Sequence, residues 1–235
     1  MNIIALARMG GCAGIALAFL AASPVKASDL SGEIGVVSDY RYRGISLSNG
    51  NPALQASVTL ETDQGLYAEL WTSTLGGPDD GADAEIDLTA GYSFDLRGNL
   101  SLDVAATYYF YPGEPGANYI DGTITLELVH GPATSRLGFS FAPRQQGTEN
   151  EQGVKHANGY AFAGVSYELS KLPLTLNAEL GYERGAFDET PRGGKWDWQF
   201  GGELKVNSCR LGLAYVGNGA DGGDDLLLGS LFLEF

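Results

Sequence analysis

The chain has 235 residues, 29 acidic against 14 basic side chains, a formal net charge of −15 and 34 glycines. Such acidity excludes a nucleic-acid binder, which would need cations to neutralise phosphates. No apolar run beyond the N-terminal segment approaches the roughly 18 residues of a membrane helix.

Met1–Ala27 reads as a cleavable signal peptide: Arg8 gives the positive start, Gly11–Ala22 the short apolar run, and Val25-Lys26-Ala27 the residues a peptidase reads. Cys12 does not suit lipid attachment, because the apolar stretch follows it. Removing Arg8 and Lys26 leaves 12 basic residues, and Cys209 becomes the only cysteine, so no internal disulfide can form. Residues 28–235 then make one domain.

Along that domain, apolar side chains recur at every second position. The pattern predicts strands over 33–43, 53–62, 66–75, 84–94, 99–111, 119–129, 134–142, 159–169, 173–184, 195–206, 208–217 and 225–235. The clearest is Ala84–Phe94, where Ala84, Ile86, Leu88, Ala90, Tyr92 and Phe94 oppose Glu85, Asp87, Thr89, Gly91 and Ser93. A strand has period two, so one face is greasy and the other wet. About twelve strands of membrane-spanning length, joined alternately by short turns and longer loops, predict an all-β fold. Specifically, they predict a closed antiparallel transmembrane β-barrel of up-and-down strands.

Orienting those strands by loop length sends Tyr40, Tyr42, Tyr108, Phe110, Tyr182, Trp196, Trp198 and Tyr215 to the outer rim. It sends Tyr92, Phe94, Tyr167 and Phe235 to the periplasmic rim. Two aromatic girdles are thus expected at the membrane–water boundaries, where an apolar ring with a polar handle is accommodated. The competing expectation is a soluble β-sandwich with its aromatics in the core.

The stretch Ser38-Asp-Tyr-Arg-Tyr-Arg-Gly-Ile-Ser-Leu-Ser48, followed by Asn51-Pro-Ala-Leu-Gln55, resembles the start of the TorF-type porin family of proteobacteria. Glu85–Tyr92, Tyr108–Gly113 and Leu213–Gly217 extend the resemblance over essentially the whole mature chain. It implies an outer-membrane barrel in a Gram-negative bacterium. It transfers no catalytic or binding residues.

Asp39, Arg41 and Arg43 alternate with Tyr40 and Tyr42 and are expected in the lumen near its outer mouth. They could set up a transverse field across a pore, or pair with wall acids and stiffen the barrel. The further pore-lining candidates are Glu61, Glu69, Glu85, Asp87, Asp103, Glu127, Glu179, Asp197 and Glu203. Their excess over basic residues predicts a mild cation preference if the lumen conducts. Twelve strands fall between filled small barrels and open porins, so a plugged lumen stands as the alternative.

Enzyme chemistry has little support, since His130 and His156 sit in connections without an evident nucleophile. The acidic loops 79–83 and 221–225 lack the spacing of a calcium loop, and no metal or cofactor is expected. The function read from the sequence is passive diffusion of small hydrophilic solutes, against a non-conducting barrel with a structural, adhesive or envelope-binding role. Expected partners are outer-membrane lipid, small solutes, and the barrel-assembly machinery through the C-terminal strand ending in Phe235.

Overall fold

The computed structural model describes residues 27–76, 82–150, 152–188, 190, 193–220 and 223–235. The predicted signal peptide, apart from Ala27, lies outside them, as do parts of both acidic loops. Among the described residues, twelve strands close into one antiparallel barrel, and a separate two-stranded hairpin accompanies it. In chain order the elements begin with β1 (Ala27–Val37) and the hairpin β2 (Arg41–Tyr42) and β3 (Ile45–Ser46). They continue with β4 (Ala53–Thr62), β5 (Leu66–Thr74), β6 (Ala84–Arg97), β7 (Leu100–Phe110), β8 (Tyr119–His130) and β9 (Ala133–Ala142). The last are β10 (Asn158–Glu168), β11 (Leu174–Gly185), β12 (Lys195–Val206), β13 (Cys209–Asn218) and β14 (Leu226–Glu234).

Each barrel strand pairs with its sequence neighbour, and β1 closes the ring against β14. Ile34 stands opposite Leu233, and Gly32 and Phe235 exchange two backbone hydrogen bonds of 2.9 Å. Closure matters physically: in hydrocarbon an open edge would leave N–H and C=O groups unpaired, at several kcal/mol each. Gly35 makes the seam possible, because a Cβ there would lie 2.4 Å from the Phe232 ring.

The burial pattern inverts that of a soluble protein. Leu30, Leu54, Leu137, Leu227 and Phe235 are 61–72% exposed, whereas Glu85, Glu183 and Lys195 are wholly buried. Alternation explains both. Even-numbered positions of β6, such as Leu88 and Tyr92, meet the outside, while Glu85 and Thr89 meet the inside. A soluble sandwich would place its large apolar side chains inside and its charges outside. The described surface is therefore one that faces lipid.

Short turns join the strands at one end: 63–65, 98–99, 131–132, 169–173 and 207–208. The opposite end carries the longer connections, and among the described residues two of them hold a single 3-10 turn, Pro115–Ala117 and Gln146–Thr148.

The first strand departs from expectation. Its pattern predicts 33–43, but it spans Ala27–Val37 and the chain then leaves the wall. Ser38 makes the last contact with β14, its N–H donating to Gly229 O at 2.9 Å. From Asp39 the chain turns into the barrel mouth and forms β2 and β3. Arg43 (φ 48°) and Gly44 (φ 79°) connect them, both left-handed as a tight two-residue hairpin requires. A hairpin strand alternates as a wall strand does, so periodicity continued while the surroundings changed.

Tyr40 and Tyr42 are accordingly not outer-girdle residues. They are buried inside the barrel, at 5% and 4% exposure. The other expected girdle residues lie on the outer face. Tyr92, Tyr108, Phe110, Trp196 and Phe235 are exposed there, and Phe94, Tyr182 and Trp198 are half-buried. Tyr92 stacks on Phe94 with centroids 5.3 Å apart, and Tyr182 leans on Trp196 at 4.9 Å.

Candidate lumenal site

The β2–β3 hairpin organises the lumen at its long-loop end. Asp39 ties its base, accepting hydrogen bonds from Ser46 Oγ (2.6 Å), Ser48 Oγ (2.9 Å) and Arg41 Nε (2.7 Å). Arg41 also grips Asp224 of the β13–β14 connection through two bonds of 2.8 Å. Asn218 Nδ2 donates to Gly44 O at 2.9 Å, and a Cβ on Gly44 would meet Gly217 O at 2.6 Å. Only glycine fits there on both counts, backbone conformation and approach.

Arg43 at the hairpin tip reaches the far wall. Its guanidinium pairs with Glu183 of β11 and lies 3.8 Å from the centre of the Tyr160 ring. Glu183 also pairs with Lys195 Nζ at 2.9 Å and accepts from Asn158 Nδ2 at 2.9 Å. Tyr160 in turn donates to Asp197 at 3.0 Å. Buried charge is tolerated only when paired and hydrogen-bonded, and here each charged group has a partner. The sequence left open whether Arg41 and Arg43 face acids across a gap or pair with the wall. Arg43 pairs with the wall, through Glu183, whereas Arg41 pairs with Asp39 at the hairpin base and with Asp224 of a loop.

On the other side, Tyr40 donates to Glu85 at 3.2 Å and packs against Trp71, with centroids 5.4 Å apart. The hairpin thus spans from the β5–β6 wall to the β10–β12 wall.

Two cavities lie in the lumen among the described residues. One, of about 490 Å³, is roofed by Tyr42 and Arg43 and lined by Glu61, Glu69, Asp103 and Glu127 among hydroxyls. The other, of about 770 Å³, reaches Asp39, Arg41, Glu203 and the Arg210 cluster at the short-turn end. Glu127, Glu179 and Arg136 border both. Within them Glu69 accepts from Thr59 at 2.9 Å, Asp103 from Tyr67 at 2.7 Å, and Glu179 faces Arg136 at 3.6 Å. Arg210 pairs with Glu33, with Glu203 at 2.9 Å and with Glu234 at 3.1 Å. Asp87, half-buried on β6, shares the inward phase of Glu85.

Charge divides unevenly around the ring. The lumen face of β4–β8 carries Glu61, Glu69, Glu85, Asp87, Asp103, Asp121 and Glu127. The single arginine or lysine in that whole stretch, Arg97, is exposed at the short-turn end. Arg136, Lys195, Lys205 and Arg210 all stand on β9, β12 and β13.

Sequence reasoning missed Glu183 and Lys195, the partners of Arg43. Their inward phase was legible, since Glu183 shares it with Glu179 and Lys195 with Asp197. Their role was not, because each sits at a strand end and gains a partner only when the hairpin folds inward.

Residues 20–225 match the family described as a bacterial protein of unknown function, Gcw_chp. No curated protein matches. Among solved structures, the chain is similar to the NanC porin at 11% identity and TM-score 0.58, covering 88% of this chain and 98% of that one. It is similar to the KdgM porin at 9% identity and TM-score 0.59, over 87% and 98% of the two chains. It is also similar to the COG4313 outer membrane channel of Pseudomonas putida F1 at 12% identity and TM-score 0.53, over 91% and 96%. These likenesses extend to the fold, a closed barrel of comparable length.

Proposed function

The chain belongs to the Gcw_chp family, and we propose that it is a porin-like channel through which small hydrophilic solutes diffuse passively, with a mild preference for cations. A closed antiparallel barrel with an apolar outer belt is a protein of the Gram-negative outer membrane. The observation that carries the channel reading is the lumen itself. A barrel of about eight strands is just wide enough for side chains to fill, whereas this wider one keeps cavities of about 490 and 770 Å³ bordered by charged and hydroxyl groups. The fold shared with the NanC and KdgM porins supports the same reading, as does the resemblance of Ser38–Ser48 to TorF-type porins.

Cation preference follows from the β4–β8 wall, whose carboxylates lower the energy of a permeating cation and raise that of an anion. Met1–Ala27 would direct export, and the C-terminal strand ending in Phe235 would engage the barrel-assembly machinery. Hydrocarbon contact along the outer belt makes membrane lipid its constant partner.

The inward hairpin favours a second reading, a barrel closed at its mouth that serves a structural or envelope-binding role. Planar-bilayer recording of the refolded protein separates the two. Discrete conductance steps in KCl are expected, with a reversal potential on the cation-selective side. Changing Glu61, Asp87 and Asp103 to amides should move that potential toward anions. A silent bilayer would favour the second reading.

A further inference from the structure

The larger cavity is not uniformly polar. Ala214 of β13, Leu228 of β14 and Val37 of β1 border it, although a strand lining a wet passage would place polar side chains there. Ala214 and Leu228 are direct cross-strand partners, and Val37 stands opposite Ser230, one lumen-facing position along β14 from Leu228. Their sequence neighbours Leu213 and Leu227 face outward, so β13 and β14 are apolar on both sides here. The paired rings of Tyr40 and Trp71 border the same cavity and carry the apolar surface toward β5.

Charged side chains stand elsewhere in the lining. Glu127 projects into the cavity from β8, half the ring away from β14. The bases that line it are all engaged by carboxylates: Arg41 by Asp39 at 2.7 Å, Arg136 by Glu179 at 3.6 Å and Arg210 by Glu203 at 2.9 Å. Acids outnumber these bases in the lining, so the cavity repels anions and attracts cations. A fully hydrophilic cation would meet the net negative lining and leave the apolar strip wet, which is unfavourable in proportion to its area. A molecule with an ammonium group and a short alkyl or aromatic body satisfies both surfaces.

We propose that the larger lumen cavity is a binding site for amphipathic organic cations, held with the ammonium toward the carboxylates and the apolar body against Val37, Ala214 and Leu228. The proposal rests on the channel reading and gives it a substrate class.

The test is single-channel recording of the refolded full-length protein in KCl with ethyl-, butyl- and hexylammonium chloride as probes, and sodium hexanoate as the counter-probe. Hexylammonium is expected to interrupt the current in steps whose mean duration lengthens about two- to fourfold per added methylene along the series. Hexanoate is expected to leave the current unbroken. Leu228→Ser should flatten the dependence on chain length, Leu228→Met should retain it, and Ala214→Ser gives a second reading if Leu228→Ser does not refold. KCl steps with blockade independent of chain length, or equal blockade by hexanoate, would overturn the site while leaving the channel reading standing. Absence of KCl steps would remove both.

Discussion

Strand β6 and the β2–β3 hairpin have the same alternating grammar and opposite fates. In β6 the odd positions Glu85, Asp87 and Thr89 look into the lumen and the even positions Leu88 and Tyr92 look out. In the hairpin the aromatic positions Tyr40 and Tyr42 and the charged positions Asp39 and Arg43 are all buried, because neither face meets lipid. The difference lies in hydrogen bonding. β6 has a long ladder partner on each side, whereas β2 and β3 pair only with each other, Arg41 opposite Ser46 and Tyr42 opposite Ile45. Alternation reports extended backbone, and what each face touches depends on which ladder the strand joins.

The largest effect is expected from removing the hairpin as a whole. Replacing residues 40–47 with a short glycine–serine linker should widen the mouth and raise single-channel conductance severalfold, with the barrel still folded by heat-modifiable gel mobility. An unchanged conductance would mean the hairpin does not narrow the path, and would break the contrast between wall and insert.

Next in size is a paired measurement on the two regions. Glu183→Ala strands Arg43 and Lys195 without their carboxylate, and breaking a buried ion pair in this way costs about 3–5 kcal/mol. The urea midpoint in micelles should fall, and open-channel noise should rise as the hairpin tip loosens. Leu88→Arg puts a charge on the lipid face and should cost about 2–4 kcal/mol near the bilayer midplane, with conductance unaltered. Stability loss with noise in one variant and without noise in the other would assign the two regions separate duties.

The smallest effect belongs to the clamp between Arg41 and Asp224. Hydrogen bonds from the Arg41 guanidinium hold the Asp224 carboxyl below the usual carboxylate range. With the folded value lowered, the clamp contributes fully above the unfolded value of about 4 and is lost as pH falls through the folded one. Asp224 is 68% exposed, so solvent screens most of its contribution. Gating noise should grow modestly in strongly acidic buffer for the native chain, and Asp224→Asn should show that noise already at neutral pH.

The wall was the most legible part of the molecule. Eleven of the twelve expected strands lie where alternation puts them to within a few residues, because a lipid-facing side and a lumen-facing side impose period two on every one. The lumen acids on β4–β8 were legible for the same reason: Glu85 and Asp87 could only face away from Ile86 and Leu88. The exception was β1, where Tyr40-Arg41-Tyr42-Arg43 kept the period after the chain had left the sheet. The one local sign was Arg43-Gly44, a dipeptide able to adopt a two-residue turn. On β14 the run Leu226-Leu227-Leu228 hid the opposite problem, since apolar residues on both faces leave the inner surface unmarked.

By itself, the sequence determined the inside-out barrel, its strand phase and its acidic lining, since each follows from local periodicity and composition. Only the tertiary structure decided that Asp39–Ser48 fold into the mouth, that Arg43 meets Glu183 and Lys195, and that Val37, Ala214 and Leu228 share one cavity. Those contacts join residues far apart in the chain, and no local pattern encodes a partner that arrives only when the ring closes.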